Sequence, residues 1–577
     1  MRMLIVLFAL CAVVRGQEPA PSAQTNTNRP TTGSISGRVV NETGQPMAGA
    51  TAMVRLVNSQ AFGGRTIETD ADGNFTINNL SPGLYIISAR APAHTSLPPD
   101  PNNPATFYRI GDTANVRLVR GGVITGTVTN AAGEPVIAVS VRAMMVRDMN
   151  GQRPTSVFVG GGQAQTDDRG IYRMYGLLPG TYIVSAGGLS MSQTFIFNPY
   201  EYDVPTYAPS ATRDTAAEVS VRSGEESNVD IRYRGDPGHV ISGTVKASSA
   251  SNGASVSMTP AEGSIMPTGN SFQPPGGRGF SFNGVADGEY DLLAQEFTPN
   301  QMGSAFVILV SEPRRVVVKG ANVTGIELVP KPLASVSGRI VLESSKVPEC
   351  QGKRPPLMAE TLVQLRRPPK DPEKGSTFVR QFASSGSPDS KGEFVLRNLN
   401  VGKYQFDPRF YARYWYVQSI TLPGTATTAA KSQAAPSSKT DAAANWTTVK
   451  FGDQLTNLTI TLAEGAASVR GKLVSGEPTP GMVLYLVPSE PDKAADVLRF
   501  FVTEIAADGT FALNNLPPGR YWALSQSTAD AQIATMTKLR EPEAAPARTK
   551  LRKTAETKKA EIQLKPCQNL ADYELKQ

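Results

Sequence analysis

Short runs of alternating apolar and polar residues recur along almost the whole chain. One type of run has glycine in its second position and an aliphatic side chain two residues later, as in Ser36-Gly37-Arg38-Val39. Because alternate residues of an extended chain point to the same face, this period of two predicts short β-strands with one buried face. Five such openings occur, with Gly37, Gly126, Gly243, Gly338 and Gly471 as their glycines.

Two turn signals follow each opening strand. The first, Asp-Gly or a variant of it, is typical of a tight hairpin and leads into an aromatic residue. The second, Pro-Gly or a variant, predicts a type II turn and leads into tyrosine ten residues after that aromatic. The third copy has Arg278 where the others have the first glycine, which predicts a looser turn there. The signature residues are, copy by copy, Gly73, Phe75, Gly83 and Tyr85; Gly170, Tyr172, Gly180 and Tyr182; Phe280, Gly288 and Tyr290; Gly392, Phe394, Gly402 and Tyr404; and Gly509, Phe511, Gly519 and Tyr521.

The spacing of these copies predicts the domain organisation. The opening glycines lie 89, 117, 95 and 133 residues apart, so the units share a frame of strands and differ in loop length. We expect an all-β protein, a tandem array of about five Greek-key, seven-stranded β-sandwich domains, with a short helix near the C-terminus after Ala547. The predicted domains are 33–121, 122–236 with an aromatic insertion, 237–333, 334–466 with a mobile loop at 425–445, and 467–577.

The N-terminus predicts export. An apolar run from Leu4 to Val14 lies between Arg2 and Arg15, and small residues precede the expected cleavage after Gly16. Residues 1–16 are therefore predicted to be a signal peptide and 17–32 a linker rich in Pro, Thr and Asn. The run is shorter than a bilayer-spanning helix, and no later segment is longer, so we expect no stable membrane insertion after cleavage. The predicted location is secreted, periplasmic or cell-surface.

Charge and histidine content narrow the function. The formal charge of +7 is spread thinly over the chain, which does not favour a nucleic-acid partner. The densest basic patch, from Arg548 to Lys559, is predicted to be a solvated helix face or a linker. The two histidines, His94 and His239, fall in different units and in no protease signature. We therefore predict no catalytic, cofactor-binding or metal-binding residues, and a protein that is not an enzyme.

The repeated motif resembles a known family. The combination Gly-x-Val, Asp-Gly-x-Phe and Leu-x-Pro-Gly-x-Tyr is similar to the carboxypeptidase regulatory-like domain, a transthyretin-like (prealbumin-like) β-sandwich also grouped with carbohydrate-binding-like folds. The resemblance covers residues 33 to about 567 and is closest in the first copy, which adds Gly44-Gln45-Pro46. It implies an exported protein whose role is structural or adhesive, and it carries over no catalytic residue.

Two cysteines follow the predicted leader, Cys350 and Cys567. In an oxidising compartment two thiols can pair, although their separation in sequence says nothing about their distance in space. The sequence leaves two interpretations open, a disulfide or two inert, small apolar side chains. The overall scarcity of cysteine favours a bacterial cell envelope over a eukaryotic secreted protein.

Two aromatic insertions are the candidate ligand-binding segments. The candidate residues are Tyr200, Tyr202 and Tyr207 in the second unit, and Tyr411, Tyr414 and Trp415 in the fourth. Exposed rings stack on sugars or anchor protein contacts, whereas rings that alternate along a strand fill a core. The leading hypothesis is a non-catalytic extracytoplasmic scaffold or adhesive arm whose partner is an envelope protein or a polysaccharide. The alternative is a carbohydrate-binding protein that uses these rings.

Overall fold

The computed structural model describes residues 32–57, 64–97, 106–154, 161–188, 199–246, 253–261, 269–273, 277–299, 306–368, 386–423, 439–474, 481–527 and 535–576. The predicted signal peptide and nearly all of the linker lie outside the described residues. The described strands form ten sheets that pack in five pairs. This architecture confirms the predicted all-β array of β-sandwiches, while the domain boundaries stay a prediction.

The first sandwich has the seven strands expected. One sheet has the order β4-β1-β7-β6 and the other the order β3-β2-β5. The opening strand β1 is antiparallel to β4 and parallel to β7. The strands are β1 (Gly33–Val40), β2 (Thr51–Leu56), β3 (Arg65–Glu68), β4 (Asn74–Leu80), β5 (Tyr85–Arg90), β6 (His94–Ser96) and β7 (Thr113–Arg120).

The second and third sandwiches repeat this frame and add short strands. The opening strands β8 and β17 are each antiparallel to the strand of the first aromatic, β11 or β20, and parallel to a closing strand. The second contains β8 (Gly122–Thr129), β9 (Ser140–Asp148), β10 (Gly161–Gln165), β11 (Ile171–Leu177), β12 (Gly180–Ala186), β13 (Thr206–Tyr207), β14 (Val219–Val221), β15 (Glu226–Asn228) and β16 (Ile231–Arg232). The third contains β17 (His239–Val245), β18 (Ala254–Pro260), β19 (Gly269–Gln273), β20 (Gly279–Val285), β21 (Gly288–Pro299), β22 (Phe306–Val310), β23 (Arg314–Val318), β24 (Val323–Leu328) and β25 (Lys331–Pro332).

The fourth and fifth sandwiches keep the same pairing of opening and closing strands. The fourth contains β26 (Ala334–Glu343), β27 (Leu362–Arg366), β28 (Glu393–Leu399), β29 (Gly402–Arg409), β30 (Trp415–Pro423), β31 (Lys439–Asp441), β32 (Thr447–Val449) and β33 (Gln454–Glu464). The fifth contains β34 (Ala467–Leu473), β35 (Met482–Pro488), β36 (Phe501–Glu504), β37 (Thr510–Leu516), β38 (Gly519–Ser527), β39 (Glu561–Leu564) and β40 (Asn569–Leu575), with helices α1 (Met536–Leu539) and α2 (Ala545–Lys558). Single 3-10 turns cover Arg213–Thr215, Pro348–Cys350, Met358–Glu360, Pro491–Lys493, Val497–Arg499 and Pro542–Ala544.

The opening glycine has a steric reason in every copy. A β-carbon at Gly243 would overlap the carbonyl oxygen of Ile326 on the closing strand and lie 2.8 Å from the Phe280 ring. A closing-strand carbonyl occupies the same place in the other four sandwiches. The strand therefore needs glycine because the closing strand and, in most copies, the first aromatic ring already occupy the space of a side chain. The carbonyls belong to Ala114, Val229, Ile326, Leu458 and Tyr573.

The tyrosine of the second turn closes that turn with its hydroxyl group. In all five sandwiches the hydroxyl donates a hydrogen bond to the backbone carbonyl four residues earlier, as Tyr290 does to Ala286 at 2.9 Å. The ring is buried in each case, so the hydroxyl needs a partner inside the fold. This bond explains why tyrosine, and not phenylalanine, stands at this position in every copy.

The predicted type II turn is wrong in all five copies. The glycine of such a turn needs a φ of about 80°, whereas Gly288, Gly402 and Gly519 have φ values of 151°, 156° and 146°, and Gly83 and Gly180 are not among the glycines with a positive φ. Glycine is needed there for space, since a β-carbon at Gly180 would lie 2.6 Å from the carbonyl oxygen of Arg147. The looser turn expected at Arg278 leaves the strand in place, because its carbonyl accepts the same bond, from Val245, as the first-turn glycines accept in the other copies.

A sixth repeated position was not anticipated. Four residues after each first aromatic, an asparagine or glycine adopts a left-handed conformation, with φ between 58° and 73°. The strand pairing shifts by a bulge at the same place. Asparagine and glycine tolerate this conformation better than other residues. The positions are Asn79, Gly176, Gly284, Asn398 and Asn515.

The C-terminal sandwich departs from its sequence pattern in two places. Ile562 and Leu564 alternate as a closing strand would, yet they lie in β39, which pairs with β38 in the other sheet. The closing strand is β40, whose bulge at Asp572 (φ 55°) interrupts the alternation that would reveal it. Helix α2 begins at Ala545, before the expected start, because Pro546 lies in the first turn, where no N–H is needed.

The predicted mobile loop at 425–445 is wrong for its last seven residues. Residues 424–438 lie outside the described chain, whereas β31 pairs with β30 and is followed by a turn. In that turn Asp441 accepts hydrogen bonds from the backbone N–H groups of Ala443 and Ala444, and Ala442 and Ala443 are buried in the core. The predominance of alanine reflects this packing.

Replacing Tyr290 by phenylalanine tests the tyrosine bond. Burial raises the pKa of Tyr290 to about 12. The folded state favours the neutral hydroxyl. Its contribution to the free energy of unfolding is therefore complete below pH 10 and is lost as the pH rises towards 12. Tyr290→Phe should lower the free energy of unfolding of the third sandwich by about 1 kcal/mol at pH 8, and less at pH 11.

Calorimetric unfolding of the full chain at both pH values measures this difference. Tyr175→Phe is the matched control, since the Tyr175 ring is 75% exposed. A loss of stability that is the same at pH 8 and pH 11 would contradict the role given to the Tyr290 hydroxyl.

Candidate functional site

The aromatic insertion of the second sandwich does not form a ring platform. Tyr207 is buried, and Tyr200 is half-buried, with its hydroxyl donating to the carbonyl of Ile137 at 2.8 Å and its ring edge-on to Tyr233. Tyr202 is 58% exposed. Other aromatics of this insertion fall within residues 189–198, outside the described chain.

The aromatic insertion of the fourth sandwich contacts neighbouring sandwiches. Trp415 is 2% exposed and belongs to the core. The Tyr414 hydroxyl accepts a hydrogen bond from Asn569 of the fifth sandwich at 3.1 Å. The Tyr411 hydroxyl donates to the carbonyl of Phe107 at 3.2 Å, and Arg109 stacks over its ring at 4.4 Å.

The expectation that these rings could bind a sugar is therefore corrected for four of the six, and for Tyr200 and Tyr202 it stays a prediction. Tyr207 and Trp415 fill cores, which is the other interpretation the sequence left open, and a buried ring cannot stack on a ligand. Tyr411 and Tyr414 hold sandwiches together. The sequence signal for the burial of Trp415 is the alternation of apolar positions in Trp415–Pro423, because Trp415 is the first residue of β30.

The first and fourth sandwiches meet around Glu360. This carboxylate is nearly buried and lies 3.8 Å from Arg109 of the first sandwich and 3.3 Å from Arg354 of its own. A buried carboxylate needs such partners, since removing one leaves an uncompensated charge. The ion pair of Glu360 with Arg109 and the contact of Tyr411 with Phe107 together join the first and fourth sandwiches, which are far apart in sequence.

The fourth and fifth sandwiches share a core and a covalent bond. Val497 and Leu498 of the fifth pack into the core of the fourth. Cys350 and Cys567 form a disulfide with their Cα atoms 5.4 Å apart. The side chain of Asn515 donates hydrogen bonds to the carbonyls of Ala412 and Trp415, both at 2.7 Å.

Asn515 is the left-handed residue four positions after the first aromatic of the fifth sandwich. The equivalent residues of the second, third and fourth sandwiches also lie where each sandwich meets the preceding one. A β-carbon at Gly284 would lie 2.7 Å from the carbonyl oxygen of Glu201 in the second sandwich. Asn398 accepts a hydrogen bond from the backbone of Ile308 in the third sandwich at 3.4 Å. Gly176 packs against Gly121, the residue that connects the first two sandwiches. The bulge therefore places a small or polar residue against the preceding unit.

A cleft of about 280 Å³ lies between the fourth and fifth sandwiches. In the fourth, Tyr404 and Phe406 of β29 point into the core, so Gln405, Asp407 and Arg409 point to the outer face of the sheet. Arg366 of β27 pairs with Gln405 and lies on this face. The fifth sandwich covers the face with β36, the end of β37 and helix α1.

Arginine dominates the charge of this cleft. Its lining includes Arg366, Arg409 and Arg540, with Asp407 as the acidic lining residue. Burial lowers the pKa of Arg540, the neighbouring Arg366 and Arg409 add to the shift, and Asp407 opposes it. Burial likewise lowers the pKa of Arg366, while Asp407 and Glu541 oppose the shift. Guanidinium groups stay protonated in proteins, so positive charge is concentrated here.

The basic segment from Arg548 to Lys559 is less solvated than expected. Arg548 is buried and donates to the carbonyls of Leu539 and Glu541 at 2.7 and 2.8 Å. Arg552 donates to the carbonyls of Pro488 and Ser489 and stacks on Trp522. These arginines fix helix α2 to the fifth sandwich.

The residues that the structure describes contain no group of three or more His, Cys, Asp or Glu side chains placed to hold a metal ion. Among the helices described, none has the length and apolar content needed to cross a membrane.

Residues 34–100 match the family model of the carboxypeptidase regulatory-like domain, which confirms the resemblance for this part of the chain. No curated protein matches the sequence. Similar solved structures include the Bacillus anthracis TIE protein, at 16% identity and a TM-score of 0.13 over 52% of this chain. That match spans 51% of the TIE protein, about half its length.

Two pilins are also similar in structure. BcpA, the major pilin subunit of Bacillus cereus, matches at 13% identity and a TM-score of 0.14, over 52% of this chain and 99% of BcpA. GBS52, the minor pilin of Streptococcus agalactiae, matches at 13% identity and a TM-score of 0.18, over 35% of this chain and 96% of GBS52. Values this low carry no argument about function.

Replacing Asn515 by glycine tests the junction of the fourth and fifth sandwiches. Glycine keeps the left-handed backbone but removes both hydrogen bonds to the fourth sandwich, so local opening at residues 410–416 should become easier by about 2 to 3 kcal/mol. Hydrogen exchange followed by mass spectrometry of the full chain measures this opening.

Asn79→Gly is the matched control. Asn79 holds the same position in the first sandwich at φ 58°, and in the described chain its side chain makes no hydrogen bond to another sandwich. Equal exchange at residues 410–416 in wild type and Asn515→Gly would show that these bonds do not hold the junction.

Proposed function

We propose that the protein is an exported, non-catalytic scaffold or adhesive arm that bears mechanical load between the cell envelope and a partner. The observation that carries this proposal is the covalent and packed junction of the fourth and fifth sandwiches. Val497 and Leu498 cross into the neighbouring core, and the disulfide joins residues 217 positions apart. A cross-link of this span limits how far the chain can be extended under force.

The disulfide supports an extracytoplasmic location. Disulfides persist in oxidising compartments and are rare in the cytosol of most organisms. The predicted signal peptide at residues 1–16 points in the same direction. We propose a secreted, periplasmic or cell-surface protein of bacterial origin, with the domains 33–121, 122–236, 237–333, 334–466 and 467–577 as its units.

The partner is proposed to be an envelope protein or a polysaccharide. The loops that differ in length between sandwiches supply the variable surface, because insertions there leave the shared strand frame intact. The aromatic insertions do not favour a carbohydrate-binding protein. Four of the six candidate rings are buried or make contacts between sandwiches, namely Tyr207, Tyr411, Tyr414 and Trp415.

Single-molecule extension of the full chain tests the load-bearing role. While the disulfide is intact, the segment between Cys350 and Cys567 cannot extend under force. Reduction should release about 75 nm of additional contour length, at roughly 3.5 Å per residue. The Cys350→Ser/Cys567→Ser double variant should show the longer extension without reductant.

The control is wild-type protein alkylated after purification under non-reducing conditions, which should keep the short extension. Fractionation of the producing cells tests the location, and the mature chain should begin at Gln17. Equal contour lengths with and without reductant, or retention of the protein in the cytoplasm, would contradict the proposal.

A further inference from the structure

The arginines of the cleft between the fourth and fifth sandwiches are left partly without partners. In the described chain, the Nε atoms of Arg366, Arg409 and Arg540 are shielded from solvent and have no hydrogen-bond partner. Native proteins rarely leave buried donors unpaired, and such a donor indicates strain, a functional role, or a missing water or ion. Three such unpaired Nε donors belong to residues that line one cleft, and they lack a hydrogen-bond acceptor in the described chain.

Other donors of Arg366 and Arg409 are engaged and hold these two groups in place. Arg366 donates to the carbonyl of Thr537 at 2.7 Å and to the side chain of Gln405 at 2.8 Å. Gln405 is 1% exposed and donates in turn to the carbonyl of Arg540 at 3.2 Å. Arg409 pairs with Asp407 at 3.0 Å. The cluster is thus built from both sandwiches, and two of its three guanidinium groups are held in place by these contacts.

The local carboxylates do not satisfy this charge. Asp407 is the acidic residue in the cleft lining, and its oxygen is used by Arg409. Asp496 accepts from the backbone of Leu498 at 3.0 Å and lies 3.7 Å from Arg499. Glu541 lies near Arg366 but does not line the cleft. The lining therefore carries three guanidinium groups against one carboxylate.

We propose that this cleft binds a small oxyanion, a phosphate, sulfate or carboxylate group, between the fourth and fifth sandwiches. Guanidinium groups recognise such anions through several parallel hydrogen bonds. The cleft volume of about 280 Å³ has room for such an anion together with water. The rest of the wall is largely apolar, with Phe501, Val502 and Leu513, which strengthens charged hydrogen bonds inside.

Binding would couple the two sandwiches, because Arg366 and Arg409 belong to one and Arg540 to the other. This inference is independent of the proposed load-bearing function, since it concerns equilibrium binding and not extension under force.

Calorimetric titration of the full chain with sodium phosphate, and separately with sodium acetate, tests the site at constant ionic strength in chloride buffer. We expect saturable binding of at least one anion, and the two arms distinguish phosphate from carboxylate chemistry. Arg409→Gln should weaken this binding by about tenfold or more, because it removes a charged donor. Arg173→Gln, which removes an exposed arginine of the second sandwich, should leave it unchanged.

A chemical probe gives a second readout on the wild-type protein, in case Arg409→Gln disturbs folding. The Arg409 side chain is 38% exposed, so an arginine-specific dicarbonyl reagent can reach it, and the bound anion should slow its modification. Arg173, at 53% exposure, is the internal control and should react at the same rate with and without the anion. No saturable binding of either anion, wild-type affinity in a folded Arg409→Gln variant, or equal modification of Arg409 with and without anion would overturn the proposal.

Discussion

The close approach of the opening and closing strands in each sandwich is the constraint on which the rest of the structure depends. The carbonyl of the closing strand occupies the space that a side chain of the opening glycine would need, in all five copies. Only glycine allows the two strands to pair in parallel at this distance. In the third sandwich these strands pair in parallel, the Phe280 ring lies against the opening glycine, and the Tyr290 hydroxyl closes the following turn.

The junctions between sandwiches follow from the same frame. The bulge four residues after the first aromatic residue turns an asparagine or glycine towards the preceding unit. At Gly284 the contact is steric, whereas at Asn515 it is a pair of hydrogen bonds. The cross-link of Cys350 to Cys567 and the packing of Leu498 in the core of the fourth sandwich join the last two sandwiches.

Local patterns predicted the fold because the turn chemistry and the period of two repeat five times. They failed where a contact comes from another sandwich. For Trp415 and Tyr207 the sequence left both an exposed ring and a core ring open, because a ring in an insertion gives no sign of its neighbours. The arginine cluster was missed for the same reason, although Gln405, Asp407 and Arg409 alternate with Tyr404 and Phe406 and so share one face. The strand β40 was missed because its bulge at Asp572 breaks the alternation.

The most direct test of this account compares Gly243→Ala with Gly279→Ala in the full chain. A β-carbon at Gly243 would overlap the closing strand, while one at Gly279 would have no atom nearer than 4.0 Å. We expect Gly243→Ala to lower the free energy of opening of the third sandwich by about 2 to 3 kcal/mol, and Gly279→Ala to change it by about 0.5 kcal/mol or less. Hydrogen exchange of peptides from residues 239–328 measures both values. Equal effects of the two substitutions would contradict the claim that the opening glycine sets the frame.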